Sequence, residues 1–127
     1  MIYSLITVSL GASLGALLRF GITSVLGVVF GFSLGTLTVN LLGGYLVGLT
    51  VGVFNIIPAL GIKWGPLILV GFLGSLTTFS AFSVELCILM QNQRWLLAGL
   101  IMVLQVVGSL AMTFSGFWTV NLAQRFF

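Results

Sequence analysis

Gly71-Phe72-Leu73-Gly74-Ser75-Leu76-Thr77-Thr78-Phe79-Ser80-Ala81-Phe82-Ser83 lies inside a long apolar stretch, and its thirteen residues include two glycines, three serines and two threonines. That composition makes a poor helix interior, because glycine exposes backbone and the hydroxyl side chains compete for backbone hydrogen bonds. A helix expected over about 65–91 should therefore break near 74–80. If the surroundings are lipid, a break at that depth frees N–H and C=O groups that must line a cavity or bind something. Freed N–H groups suit an anion, and freed carbonyls suit a small hard cation.

The rest of the chain says that the surroundings are lipid. Of 127 residues 60% are hydrophobic and 4% are charged, and Arg19, Lys63, Glu85, Arg94 and Arg125 are the whole charged set. A soluble domain carries about 25% charged residues, so this chain has too little polar surface to face water. The stretch 1–62 holds only Arg19 as a charge. At about 1.5 Å per residue it is too long for one crossing, which takes roughly 20 residues. The dense glycines of Gly27-Val28-Val29-Phe30-Gly31-Phe32-Ser33-Leu34-Gly35 mark the place to turn. The spacing predicts helices at about 3–28 and 33–56, a polar turn through Asn55, Pro58, Gly61 and Lys63, the helix at 65–91, a loop at Gln91-Asn92-Gln93-Arg94, and a helix at about 95–122. Trp64 and Trp95 stand beside Lys63 and Arg94, as expected at a membrane–water interface. The fold class is thus all-α integral membrane, one transmembrane domain of four helices with the third broken at mid-membrane.

Several function classes drop out. No basic patch with interleaved polar residues exists, so nucleic acid is not an expected partner. There is no histidine, one acid and the single Cys87, which removes the usual zinc and iron ligand sets and any internal disulfide. Catalysis would rest on Glu85 alone, so an enzyme is not expected. The stretch Met1-Ile2-Tyr3-Ser4-Leu5 lacks the charged region of a signal peptide and reads as part of the first span.

Polar residues inside spans should face protein or water, because an uncompensated polar group in hydrocarbon costs several kcal/mol. Thr36 and Asn40 stand four apart on the second helix; Gln105, Ser109 and Thr113 repeat the step on the fourth. Each could be ordinary interhelical glue, but two stripes on different helices also suit a shared path. Phe79 and Phe82 are three apart, either as core aromatics or as rings whose electropositive edges face an anion. Arg19 is the one cation within a span, at about 2.5–3.5 kcal/mol on insertion scales. Glycines fall four apart at Gly11/Gly15, Gly27/Gly31/Gly35 and Gly44/Gly48/Gly52, ridges that let helix backbones approach closely. Four short helices cannot both enclose a polar path and seal it from lipid, so a homo-oligomer is expected.

Together these stretches resemble the Fluc (CrcB) family of fluoride channels. The resemblance is carried by Gly11-Ala12-Ser13-Leu14-Gly15-Ala16-Leu17-Leu18-Arg19, by Gly35-Thr36-Leu37-Thr38-Val39-Asn40-Leu41-Leu42-Gly43, by the segment 71–83, and by Gly108-Ser109 with Thr113. It implies a dual-topology homodimer with two antiparallel pores that conduct fluoride passively through the cell membrane. It assigns Phe79 and Phe82 to the pore lining, and Asn40 and Ser109 to donors for the partly dehydrated anion. Thr36, Ser80, Thr113 and Gln105 complete the implied fluoride pathway. Gly74 and Thr77 match the backbone carbonyls that hold a structural sodium ion on the dimer axis, and Arg19 matches the family's helix 1 arginine. Ala81 stands where the family's segment usually has a threonine, and Gln105 where an aromatic or imidazole is usual. A proton-coupled four-helix exporter would need a carboxylate in the first helix, which has none; a non-transporting structural subunit would leave the polar cluster at 75–83 without a purpose.

Lys63 and Arg125 fall on the N-terminal side of the four crossings, with Arg94 and the leaning Arg19 on the other. Two basic residues against two give the positive-inside rule nothing to act on, and a chain without orientation bias can insert both ways and pair antiparallel. Topology reporters fused to the C-terminus should report both orientations within one population. A single orientation would refute dual insertion.

Overall fold

With so few charges, each apolar run has to close its backbone hydrogen bonds within itself, and it does so as helix. A computed structural model describes residues 1–126. Helix α1 (Ile2–Leu26) leads into a two-stranded antiparallel hairpin, β1 (Val28–Val29) and β2 (Phe32–Ser33), and then into α2 (Leu34–Ile56). A third span runs over Pro58–Gln91. It consists of α3 (Pro58–Gly65), a π-helical segment (Pro66–Leu73), the short α4 (Gly74–Leu76), a break, and α5 (Ser80–Gln91). Helix α6 (Trp95–Phe126) ends the described chain. Four helices are thus long and apolar enough to cross a membrane.

Three boundaries differ from the sequence expectation, each for a local reason. The polar turn expected through Asn55–Lys63 is confined to Ile57, because Pro58 occupies the first helical position, where its missing N–H is no loss. Lys63 therefore stands within α3, its Nζ 5.2 Å from the centre of the Trp64 ring. The turn at 27–35 is a hairpin: Phe30 and Gly31 both have positive φ, 54° and 92°, as a tight two-residue connection with the strands' twist requires. Arg94 ties it down by donating from Nη1 to the Phe30 carbonyl at 2.6 Å. The last helix continues past 122 to Phe126.

The π-helical segment follows from Pro66, which has no N–H for the helical ladder. The wider turn carries through to Gly74, whose N–H reaches back to the Leu69 carbonyl, five residues earlier, and to the Gly71 carbonyl.

Two helix pairs make the framework: α1 lies along the π-helical segment, and α2 along α6. Both contacts are made of bare backbone. A Cβ on Gly15 would collide with the Phe72 carbonyl, and one on Gly48 with the Thr113 carbonyl; Gly11, Gly71 and Gly116 are similarly confined. In lipid no hydrophobic force drives helices together, so this close approach supplies the dispersion contact. Apolar clusters flank the break on both sides: Val39, Leu73 and Leu76 before it, and Phe82, Leu86, Leu89, Ala98 and Ile101 after it.

Gly48→Ala should accordingly force α2 and α6 apart and lose about 1–3 kcal/mol or more. Gly99→Ala, on α6 with nothing within 4 Å of the added methyl, should stay within about 0.5 kcal/mol. Thermal unfolding in detergent compares the two; equal melting temperatures would remove the close-approach account of the α2–α6 contact.

Candidate functional site

The break in the third span is narrower than expected. Gly74–Leu76 stays helical, and the chain turns extended at Thr77 (φ −79°, ψ 157°) before re-entering helix at Ser80. A continuing α-helix would bond the Thr78 N–H to the Gly74 carbonyl and the Ala81 N–H to the Thr77 carbonyl. Neither bond forms. The Thr78 N–H donates to Asn40 Oδ1 at 2.8 Å, and the Ala81 N–H donates to Thr78 Oγ1 at 3.2 Å. The Gly74 and Thr77 carbonyls are released from the ladder as a result. Arg19 Nη1 approaches the Thr77 carbonyl at 3.5 Å, at the weak limit of a hydrogen bond.

Asn40 closes a two-way pair with Thr78, since its Nδ2 donates to the Thr78 carbonyl at 2.9 Å. The second Nδ2 hydrogen goes to Gln105 Oε1, also at 2.9 Å. Both amide hydrogens of Asn40 are therefore in use. Turning the Asn40 amide over would set its NH₂ against the Thr78 N–H, so the network fixes its orientation. The Gln105 amide is fixed in turn: Oε1 faces Asn40, and the buried Nε2 makes no hydrogen bond among the described residues.

Two cavities meet at this break. The first, of about 460 Å³, is walled by Asn40, Phe79, Phe82, Gln105, Ser109 and Thr113, with Thr77 and Thr78 at its end. Phe79 and Phe82 stack edge-on, with centroids 5.6 Å apart and planes at 69°, the arrangement the ring quadrupoles favour. Phe82 is buried at 4% exposure, whereas Phe79, at the start of α5, is 75% exposed. The second cavity, of about 670 Å³, is walled by Arg19, Ser33, Thr36, Thr78, Ser80 and Glu85. There Thr36 Oγ1 donates to Glu85 Oε1 at 2.8 Å, and the buried Oε2 has no partner among the described residues.

The residues singled out from sequence thus fall into two groups. Asn40, Gln105, Ser109, Thr113, Phe79, Phe82 and Thr77 share the first cavity; Thr36, Ser80 and Arg19 share the second. Gly74 lines neither and lies exposed beside the break. The Thr113 hydroxyl is given to the carbonyls of Gly44 (3.1 Å) and Ser109 (2.9 Å), which makes it a tie between α2 and α6. Sequence reasoning passed over Thr78, which lines both cavities and holds three bonds of the break. Its signal was its place between a second threonine and Phe79, where an unwound helix leaves N–H and C=O both unpaired. The sequence assigns Glu85 no role, and the structure sets it at the second cavity with Arg19.

The family described as “CrcB-like protein, Camphor Resistance (CrcB)” matches residues 6–117. A protein of Desulfovibrio desulfuricans named “Fluoride-specific ion channel FluC” is 45% identical over 128 residues, spanning 100% of this chain and 99% of its own. One of the same name from Tolumonas auensis is 46% identical, over 98% of this chain and 99% of its own length. Another from Haemophilus influenzae is 38% identical, over 98% and 78%.

Asn40→Leu keeps the bulk but strips both polar partners from the buried Thr78 backbone. Each buried group left unpaired costs about 1–3 kcal/mol, so the variant should lose about 2–5 kcal/mol of unfolding stability. Amide exchange at residues 77–81 should accelerate. Unchanged stability together with unchanged exchange would remove Asn40 as the clamp of the break.

Proposed function

This chain belongs to the CrcB-like family, and we propose that it is a passive fluoride-selective channel, a multi-pass protein of the cell membrane and not an enzyme, that works as an antiparallel homodimer with two pores. The observation that carries the reading is the first cavity: polar side chains of α6 and a pair of phenylalanines line it together, and among the described residues no charged side chain does. Fluoride is a small, strongly hydrated acceptor. It gives up water only where donors and electropositive edges replace it, and it leaves again only where no single contact holds it too well. Ser109 supplies a hydroxyl on this wall, and the T-shaped Phe79–Phe82 pair supplies ring edges. Beyond Thr78, the hydroxyls of Thr36 and Ser80 line the second cavity. The full-length matches to relatives named as fluoride-specific channels support the same substrate.

Phe79, three-quarters exposed in the single chain, needs a cover before it can wall a pore. A second copy supplies one, and the evenly divided basic residues favour antiparallel pairing. The carbonyls of Gly74 and Thr77 fit a hard cation: both have lost their helical N–H partners, and among the described residues the only donor near either is the long contact from Arg19. Two copies offer four such oxygens, a set suited to one structural sodium ion whose charge raises the local potential for anions. A proton-coupled exporter finds no support, because the one carboxylate, Glu85, lies in the second cavity and bonds to Thr36.

Fluoride efflux from liposomes containing the pure protein tests the proposal. Wild type should discharge a fluoride gradient without any added energy source. Phe79→Leu and Phe82→Ile keep apolar bulk, and such swaps cost less than about 1.5 kcal/mol in stability, yet each should collapse the flux with the dimer intact. Full flux in both would refute the assignment of the pore.

A further inference from the structure

We propose that the niche between the 28–33 hairpin and the start of α6 binds an anionic phospholipid, with its phosphate on Arg94 and an acyl chain along Leu96 and Leu100. A cavity of about 460 Å³ lies there, with Phe30, Gln93, Arg94, Trp95, Leu96 and Leu100 in its wall. It shares no residue with the two cavities at the break. The site concerns the lipid around the protein and holds whichever ion the chain conducts. Its polar half is built on one guanidinium. Arg94 Nη1 donates to the Phe30 carbonyl at 2.6 Å, which fixes the side chain against the hairpin. A guanidinium has five N–H donors, and among the described residues only this one finds a protein acceptor. The others suit phosphate oxygens, which arginine can meet two at a time. Among the described residues no acid lines this wall, because Glu85, the chain's one acidic side chain, lies in the second cavity. Helix α6 starts at Trp95, and the positive end of its dipole adds to the same field.

The backbone takes a disfavoured shape to make this niche. Among the described residues Phe30 (φ 54°) and Gln93 (φ 59°) are the only non-glycine residues with positive φ, and both wall this cavity. Bulky side chains are disfavoured in the left-handed region, and such strain collects where a site needs it. Asparagine or glycine would make the hairpin turn more easily. Position 30 instead holds a ring that is 72% exposed and joins neither core cluster. Gly31 leaves the guanidinium its room, since a Cβ there would stand 3.0 Å from Arg94 Nη1. Gln93 Oε1 accepts the Trp95 indole N–H at 3.2 Å, which sets an interfacial tryptophan beside the cation. Leu96 and Leu100, 80% and 58% exposed, stand four apart on one face of α6 and supply the apolar half. A free phosphate would use the polar half alone. A lipid uses both, because its phosphate lies at the interface and its chains run down beside the helix. A net-neutral headgroup carries its own cation toward Arg94, whereas an anionic one keeps its full attraction to it.

Brominated lipids quench tryptophan fluorescence on contact, so the full chain with Trp64→Phe and Trp118→Phe reports this niche through Trp95. It is reconstituted in phosphatidylcholine vesicles that hold equal mole fractions of either brominated phosphatidylglycerol or brominated phosphatidylcholine. The relative association constants should favour phosphatidylglycerol about fivefold, the worth of one basic residue near an anionic headgroup. Arg94→Gln should abolish the preference. Leu96→Glu should abolish it too, by setting a carboxylate in the wall while keeping the tie from Arg94 to Phe30, and it carries the comparison if Arg94→Gln does not fold. Lys63→Gln, at the other interface, should leave the preference unchanged. Equal quenching by the two lipids overturns the proposal, as does a preference that survives in Arg94→Gln or in Leu96→Glu. A preference lost equally in Lys63→Gln overturns it by making the effect one of net charge. Displacement of brominated phosphatidylglycerol by dissolved glycerol phosphate overturns it in favour of a free anion. Absence of quenching by either lipid overturns it in favour of a protein cover over the niche.

Discussion

A helix broken in hydrocarbon has to find partners for the groups it releases, and here a single side chain settles the matter. Asn40 meets Thr78 as one strand meets another, taking its N–H and giving to its carbonyl, at 2.8 and 2.9 Å. Asparagine is the shortest side chain that sets an N–H donor and a carbonyl acceptor side by side, as a peptide group does. It can stand in for a backbone at the one residue where the third span has lost its own. Everything downstream depends on that substitution. Thr78 Oγ1 receives the Ala81 N–H and so starts α5, and α5 carries Phe82 and its cluster. Without Asn40 the segment 77–79 would either rewind into helix, closing the cavities, or leave two polar groups bare in a medium that offers no water.

The clamp works only because α2 can come close enough to reach. The ridge of Gly44, Gly48 and Gly52 on α2 lies against Ser109, Thr113, Gly116 and Val120 of α6, and Thr113 bonds the Gly44 carbonyl across the gap. Gly43 accommodates the Thr77 side chain directly. Side chains at these positions would lift α2 away from both α6 and the break. The glycines and the polar contacts are therefore one design: the glycines give up side-chain dispersion at the seam, and the backbones they admit carry hydroxyl and amide bonds that no wider spacing allows.

Much of this was legible in the sequence, because the strongest signals were physical prohibitions. Too few charges for water forced four spans, and glycine with hydroxyl residues at mid-span forced a break. The stripes Thr36–Asn40 and Gln105–Ser109–Thr113 followed from the helical repeat alone. What escaped was partnership. Nothing in a four-residue spacing says that Asn40 spends both hydrogens on protein, or that Thr113 spends its hydroxyl on the α2–α6 seam, since those are facts of distance between helices. Pro58 read as a turn residue because proline both ends and begins helices, and only the context of a one-residue connection tells which. The hairpin at Val28–Ser33 was hidden by its length: two residues per strand are too few for an alternating pattern to register.

The two cavities differ in a way that bears on how an ion can pass quickly. Among the described residues the first has no charged side chain in its wall, while the second holds Arg19 and Glu85, one of each sign. A lone cation on the wall beside the phenylalanines would hold an anion, since opposite unit charges 4 Å apart interact by about 4 kcal/mol even at an effective dielectric constant of 20. Neutral donors and ring edges attract less and can be exchanged one for the next, which is what conduction demands of its binding sites. The one guanidinium near the path leans on the Thr77 carbonyl and shares its cavity with the one carboxylate. The first cavity, by contrast, offers an anion only neutral hydroxyl and amide groups and ring edges.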